Sequence, residues 1–406
     1  MTDIMVTSDI KQPSYLGLKW VNIAFLVTTP FLALAGVVAY ARAGSFHWSD
    51  AAIFFLMYVC TGMAITAGYH RHYSHRSYEA SLPLQLFYLL LGAAAFQNSL
   101  LRWARDHRIH HMKVDREEDP YNIRKGFWHA HILWIFQYSA HDEDFRAAPD
   151  LLKDPWVRRQ DRGYLPIAVL VGFALPAALG WLFGRPAAGF LWGGLVRVVV
   201  VHHMTFFINS LAHMVGKQPY SLDYSARDSW WLAFFTYGEG YHNFHHRFAA
   251  DYRNGLRWYQ WDPTKWWIQA MNLAGLADRL TRFREEHILR ARIETDMRRV
   301  QQRLSKAPVR LALRLERRLE AARLQLEAAA AKWEEAKAGV RTMRKAYRDD
   351  PGRLRRRWDL KLREYDFQFQ AAQARWAFLI AAIGAAAAAH VGDAGIHVAD
   401  VARAAH

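Results

Sequence analysis

Nine of the twenty histidines in this chain fall into short repeating patterns, and those patterns are where chemistry would be found. The first is His70-Arg-His-Tyr-Ser-His75, and the second is Asp106-His107-Arg-Ile-His110-His111. The third is Gly238-Glu-Gly-Tyr-His242-Asn-Phe-His245-His246, and Asn209 and His213 stand four apart in Asn-Ser-Leu-Ala-His. Helical positions three and four apart share a face, so His107, His110 and His111 offer three imidazoles to one side. His242, His245 and His246 do the same. His70 and His75 are five apart and diverge on an α-helix, so this pair is expected to straddle a helix end. Neutral imidazole suits iron, zinc or copper. Nine imidazoles exceed the needs of one ion, since zinc typically takes four ligands. Two metals is the economical reading. Glu239 and Asp106 are candidate acceptors for the outer ring nitrogens. A lone histidine is ordinarily a hydrogen-bonded surface or core residue, and His47, His129, His131, His141, His287, His390, His397 and His406 carry no pattern. His72, His202 and His203 lie near the groups but off their spacing.

Long apolar runs must position these groups. Residues 20–41, 51–69 and 164–183 are uncharged, and 187–208 is apolar apart from Arg197, His202 and His203. Each has about the 20 residues a membrane span needs, and Arg197 makes the fourth the costliest. The links Arg42–Asp50 and Gly184–Pro186 carry one arginine each, whereas Lys11, Lys19 and the 70–163 segment are basic. The positive-inside rule therefore places both termini and the histidine groups in the cytosol. A further run, Ser81–Leu101, separates the first two groups. It must not cross if they share a site, and Pro83 and Gln97-Asn98 suit an element that stays at the interface.

Composition sets the remaining bounds. Of 406 residues 52% are hydrophobic, and Cys60 is the single cysteine, which excludes an intrachain disulfide and thiolate metal sites. Residues 1–19 are polar, so a secretory signal is not expected. The net charge is +16, and residues 281–406, with 27 Lys+Arg against 16 Asp+Glu, supply +11 of it. That third is rich in Arg, Ala, Glu, Leu and Gln, typical of long helices. Helices are expected over about 282–306, 310–347 and 354–382, broken at Pro308 and at Asp349-Asp-Pro-Gly352. Leu311, Leu315, Leu319, Leu324 and Leu326 form an apolar stripe that suits an antiparallel hairpin, coiled on itself or on a partner. Its charge fits anionic lipid headgroups, at about 1 kcal/mol per basic residue; nucleic acid is not an expected partner. Phe378–Ala389 is too short for a span. The domains are 1–19, a cytosolic segment; 20–280, the membrane domain; 281–385, the charged helical extension; and 386–406, a disordered tail.

The histidine patterns resemble the histidine boxes of the membrane fatty-acid desaturases. The flanks narrow the resemblance to the acyl-CoA Δ9, stearoyl-CoA-type branch. They are His-Arg-x-x-Ser-His-Arg-Ser-Tyr at 70–78, Phe-Gln-Asn at 96–98, Trp-Ala-Arg-Asp-His-Arg at 103–108, Asp119-Pro120, and Gly-Glu-Gly-Tyr-His-Asn-Phe-His-His at 238–246. The resemblance covers about residues 15–280. It implies an all-α fold: an integral-membrane four-helix bundle with a cytosolic helical cap holding a di-metal site, here followed by the C-terminal helical hairpin. It implies two iron ions (Fe) and dioxygen (O2). The ligands would be His70, His75, His107, His110, His111, His213, His242, His245 and His246, with Asn209 acting through a water. Gln97, Trp103 and Thr205 would bend an acyl tunnel, and Tyr58 and Gly62 would lie near its closed end. At 1.5 Å per residue Tyr58 stands ~18 Å from His70. Asn98, Arg105 and Asp106 would contact the CoA moiety.

Two departures stand out. Phe206, at a substrate-binding position, replaces the tryptophan of the better-known animal enzymes. Ile135-Phe-Gln-Tyr-Ser139 stands where those enzymes have a basic pair on CoA, which leaves acyl-lipid or acyl-carrier-protein substrates as alternatives. The implied reaction is an oxygen-dependent cis desaturation, at Δ9, of a long-chain saturated acyl-CoA. Alternatives are a di-iron membrane hydroxylase, a metal transporter or sensor, and a scaffold with an inactive site. No His-Pro-Gly-Gly, CxxC or GxGxxG motif occurs, so electrons would come from a cytochrome b5-like protein, ferredoxin or rubredoxin with its reductase. The membrane would be a bacterial cytoplasmic membrane or the endoplasmic reticulum.

Overall fold

A computed structural model describes residues 17–44, 46–139, 142–305, 309–346 and 353–391. Residues 1–16, His141, Pro308, the Asp349–Gly352 turn and residues 392–406, with His397 and His406, lie outside the described residues. The chain forms two compact units: Met1–Gln218 with Asp223–Arg282, and Pro219–Leu222 with Phe283–His406. Among the described residues the fold is all-α apart from a two-residue antiparallel ladder pairing Glu79–Ala80 with Ala277–Asp278.

Four helices of the first unit are long and apolar enough to cross a membrane, which makes this a membrane protein. They are α1 (Trp20–Arg42) and α2 (Trp48–Ser74), followed after two shorter helices by the remaining pair. The shorter two are α3 (Leu82–Ala93) and α4 (Leu100–Lys113). The last two spans are α5 (Tyr164–Trp181) and α6 (Pro186–His213). Helix α3 has only 12 residues, about 18 Å of rise, too short to span. It packs on α2 by exchanging rings for missing side chains. A Cβ on Gly68 would stand 2.5 Å from the Tyr88 ring, and one on Gly92 would stand 2.3 Å from that of Tyr69.

Helix α2 begins with a capping box, in which His47 Nδ1 accepts from Ser49 N and Asp50 accepts from His47 N at 2.9 Å. Asp50 is buried and also holds Arg185 at 3.0 Å and the Tyr40 hydroxyl, so one carboxylate ties α1, α2 and the α5–α6 link. The other end of α2 departs from the sequence expectation. Ala64–Ser74 is wound as a π-helix, and His75 N–H donates to His70 O at 3.1 Å. A hydrogen bond spanning five residues sets His70 and His75 one turn apart on the same side. The pair straddles the helix end as expected, since His75 caps the helix that holds His70, but the π-winding keeps the two on one face where an α-helix would part them.

Two short helices complete the site's scaffold: α7 (His242–Arg247) and α8 (Pro263–Leu273).

The second unit contains α9 (Glu285–Leu304), α10 (Val309–Ala346) and α11 (Arg353–Val391), the last two paired as a hairpin. Its core includes Val300, Leu304, Leu319, Leu326, Trp376 and Ile383, and Trp376 Nε1 donates to Asp296 at 3.1 Å. The leucine stripe needs one correction. Leu315, Leu319 and Leu326 are buried, but Leu324 is 53% exposed, because a five-residue step from Leu319 carries it round the helix away from the seam. Leu311's side chain lies outside the described residues. The expected disordered tail also starts too early, since α11 continues through its alanine-rich end to Val391. Alanine is the best helix former.

Candidate metal centre

The α2 terminus, α4, the end of α6 and α7 bring the patterned histidines together as two clusters. His70, His75, His107, His111 and His245 form the first, and His110, His213, His242 and His246 the second. In each, the nearest ring nitrogens lie within 4.8 Å of one another. The triplets on α4 and α7 do not act as units. On α4, His107 and His111 are one turn apart and face the first cluster, while His110 points to the second. On α7, His245 joins the first and His242 and His246 join the second. Nε2 atoms converge: His70 and His245 at 2.9 Å, His75 and His107 at 2.8 Å, His111 and His245 at 3.0 Å. In the second cluster His213 and His242 are 3.1 Å apart, as are His242 and His246, and His110 and His246 are 3.3 Å apart.

The outer nitrogens show which tautomers are present. His70 Nδ1 lies 3.1 Å from Glu239, and His110 Nδ1 lies 2.8 Å from Asp119. His213 Nδ1 lies 2.7 Å from Ser225 Oγ, whose own proton goes to Asp115 at 2.6 Å. Each of these acceptors requires a proton on Nδ1, which leaves Nε2 with a bare lone pair directed inward. Burial, followed by neighbouring imidazoles, holds His107, His111, His242, His245 and His246 well below the usual histidine pKa. These rings are therefore neutral. Inward lone pairs 3 Å apart repel unless a cation lies among them, so the donor set fits two metal ions, one per cluster.

Glu239 is the firmest of the outer carboxylates. Burial alone would raise its pKa, but the Arg71 guanidinium, with His70, pulls it down to about 2. Arg71 donates to Glu239 at 2.8 Å and to Asp262 at 3.0 Å, and Asn254 donates to Glu239 at 2.7 Å. Asp106 does not hold a ligand ring. It pairs with Arg105 at 2.7 Å, because α4 turns it away from the His107 face. Sequence reasoning missed Asp119, Ser225 and Asp115 as outer supports. They lie in loops, where no periodicity marks them; only the spacing of Asp119 behind His110 was visible, as part of a flank. Asp119→Ala is expected to weaken metal binding 10–100-fold, the usual effect of losing such an acceptor, and metal titration of the purified variant measures it.

A cavity of about 370 Å³ reaches this centre, and His107, Asn209, Gln97, Asn98, Trp103, Asp106, Thr205 and Phe206 line it. Trp103 stacks on His107 with centroids 5.0 Å apart, and Gln97 bridges Thr205 at 2.9 Å and Trp103 at 3.3 Å. Arg105 is buried and engaged by Asp106 and Asp142. Tyr58 and Gly62 lie elsewhere, against Tyr237. The two tyrosine rings are 5.0 Å apart, and a Cβ on Gly62 would stand 2.2 Å from Tyr237.

Comparison with known proteins agrees with this architecture. A family model described as Fatty acid desaturase matches residues 46–283. The probable acyl-CoA desaturase of Schizosaccharomyces pombe is 43% identical over 274 residues, 67% of this chain and 56% of that protein. Acyl-CoA desaturase 1 of Saccharomyces cerevisiae is 38% identical over 295 residues, covering 71% and 57%. The sn-1 stearoyl-lipid 9-desaturase of Anabaena variabilis is 33% identical over 262 residues, covering 64% and 93%. The chain thus spans a little over half the length of the two yeast relatives. With its paired histidine clusters set at the ends of membrane-spanning helices, this chain belongs to the fatty acid desaturase family.

Proposed function

We propose that the chain is an oxygen-dependent desaturase that introduces a cis double bond, at Δ9, into a long-chain saturated acyl-CoA. The carrying observation is the meeting of a largely apolar cavity with the histidine clusters, through Trp103 stacked on His107. Removing hydrogen from an unactivated methylene is beyond any side chain; two iron ions held by these histidines would supply that chemistry, with dioxygen, two electrons and two protons consumed and both oxygen atoms leaving as water. The chain's own residues do the rest. The nine histidines serve as ligands, with Asn209 acting through a water. Glu239, Asp119 and Ser225 fix the ring tautomers. Gln97, Trp103 and Thr205 orient the acyl chain beside His107, so that geometry selects the reacting methylenes. Asn98, Arg105 and Asp106 meet the carrier, and Tyr58 and Gly62, which do not line the cavity of this structure, would close the far end of a tunnel opened past Tyr237. Electrons come from an external carrier of the cytochrome b5, ferredoxin or rubredoxin kind. The basic residues before α1 and between α2 and α5 support a site on the cytosolic face.

One observation favours acyl-lipid as the second reading of the carrier. Among the described residues Lys19 is the one lysine or arginine lining the cavity, and it is already paired with Asp142 at 2.8 Å. Expression in a desaturase-deficient host tests the reaction: a cis-alkene is expected, and an alcohol would make the protein a hydroxylase. Supplying purified protein with stearoyl-CoA or with stearoyl phospholipid separates the carriers.

A further inference from the structure

Helix α3 ends inside the bundle, and the turn after it forms one wall of the cavity. In Ala94–Asn98, Phe96 has φ 55° and Asn98 φ 87°. Left-handed backbone at such residues costs about 1–2 kcal/mol each and persists only where the surroundings over-determine it. Here they are two side chains of α6. Arg197, fully buried, donates to Ala94 O, to Gly172 O at 2.8 Å and to Gly193 O at 3.0 Å. Gly172 and Gly193 both lie in π-wound stretches, where carbonyls leave the regular ladder. His202 is also buried, with Nε2 2.9 Å from Ala95 O and 3.1 Å from Phe96 O. That nitrogen must therefore carry the proton.

Three successive carbonyls at a helix C-terminus accept from side chains of α6. The guanidinium meets the negative end of the α3 dipole. From the other side the Tyr164 hydroxyl accepts the Asn98 N–H at 3.0 Å. The turn so held seats the Phe96 ring 5.2 Å from that of Phe25 and 4.8 Å from that of Phe173. The ring also fills the space over Gly172, where an added Cβ would approach it to 2.5 Å. Phe96 and Gln97 line the cavity; Arg197 and His202 do not.

We propose that Arg197 and His202 are positioning residues of the reaction, and that Phe96, held by them, determines which methylenes of a saturated acyl chain lie beside His107. The proposal rests on the desaturase reading. A slip of one methylene along the wall would bring a neighbouring carbon–carbon bond to the centre, so wall position becomes double-bond position. The donors of both side chains go to backbone carbonyls: His202 reaches only the turn, and Arg197 ties the turn to Gly172 and Gly193 beside it.

Two variants test this. His202→Phe keeps a ring to stack on Phe206, now 5.5 Å away, and removes the donor. Phe96→Leu alters the wall directly. Arg197→Met is unsuitable as the main probe, because three carbonyls would lose their donor and the fold would be at risk. In a desaturase-deficient host, the wild type is expected to give one dominant positional isomer. Both variants should raise the ratio of neighbouring isomers about tenfold. A purely structural role would lower total product and leave that ratio unchanged, and such a result in both variants overturns the proposal. Amide hydrogen exchange of segment 94–99 in purified protein supplies a readout free of turnover: His202→Phe should accelerate it, and unchanged exchange also overturns the clamp. Should the wild type form no alkene, the desaturase reading fails, while the exchange measurement still decides the clamp.

Discussion

His245→Ala is expected to reduce desaturation by more than about 100-fold, beyond the 10–100-fold typical of losing an outer support, and to lower bound metal from two ions per chain toward one. His245 is buried, and its Nε2 lies 2.9 Å from that of His70 and 3.0 Å from that of His111. Its Nε2 is the atom turned into the first cluster, the geometry of a metal ligand. The second cluster keeps all four of its rings, which predicts partial rather than complete metal loss. His203→Ala is the control: His203 belongs to neither cluster and lies 3.1 Å from His131, and this variant should keep its full metal. Metal analysis of the purified proteins with fatty-acid profiling decides the matter. A His245→Ala protein with full metal and normal product would remove His245 from the centre.

Arg71→Met should cost about 3–5 kcal/mol of stability, the usual penalty for stranding buried charge. Arg71 is 1% exposed and serves Glu239, Asp262 and the Tyr252 carbonyl together. Without it, two buried carboxylates face each other with no guanidinium between them. The pH dependence has a definite sign. Glu239 is held at about 2, below its ordinary 4.5, so its contribution is fully present above pH 4.5 and is lost as pH falls toward 2. In Arg71→Met, with the main cause of the depression gone, the folded carboxyl moves back toward or above its ordinary value, so this acid-side loss should shrink or vanish. Thermal unfolding in detergent between pH 3 and 7, for both proteins, measures the shift. Superimposable stability profiles would show that Arg71 does not set the charge of Glu239.

The sequence was most readable where physical periodicity is strong. The four apolar runs are legible because a bilayer sets their length. The hairpin of the second unit is legible because leucines and alanines recur at helical spacing. The histidine patterns announce a metal site because so many neutral donors at one-turn spacing have few other uses. The division of each triplet between two clusters is not legible, since it depends on where the facing helices stand. Nor are Asp119 and Ser225, loop residues that reach back over 9 and 12 positions to His110 and His213. Asp106 was misread for the opposite reason. It sits beside a ligand in sequence, yet α4 directs it to Arg105.

The π-winding of Ala64–Ser74 has a consequence for how this site could be lost. In an α-helix a five-residue spacing separates two rings; in this segment it joins them, and His75 N–H bonds to His70 O. Point substitution changes side chains but not the number of residues per turn. Inserting or deleting one residue between His70 and His75 would therefore part the two rings even with both histidines retained. Within this stretch, the reading frame of the helix is as much a part of the metal site as the histidines themselves.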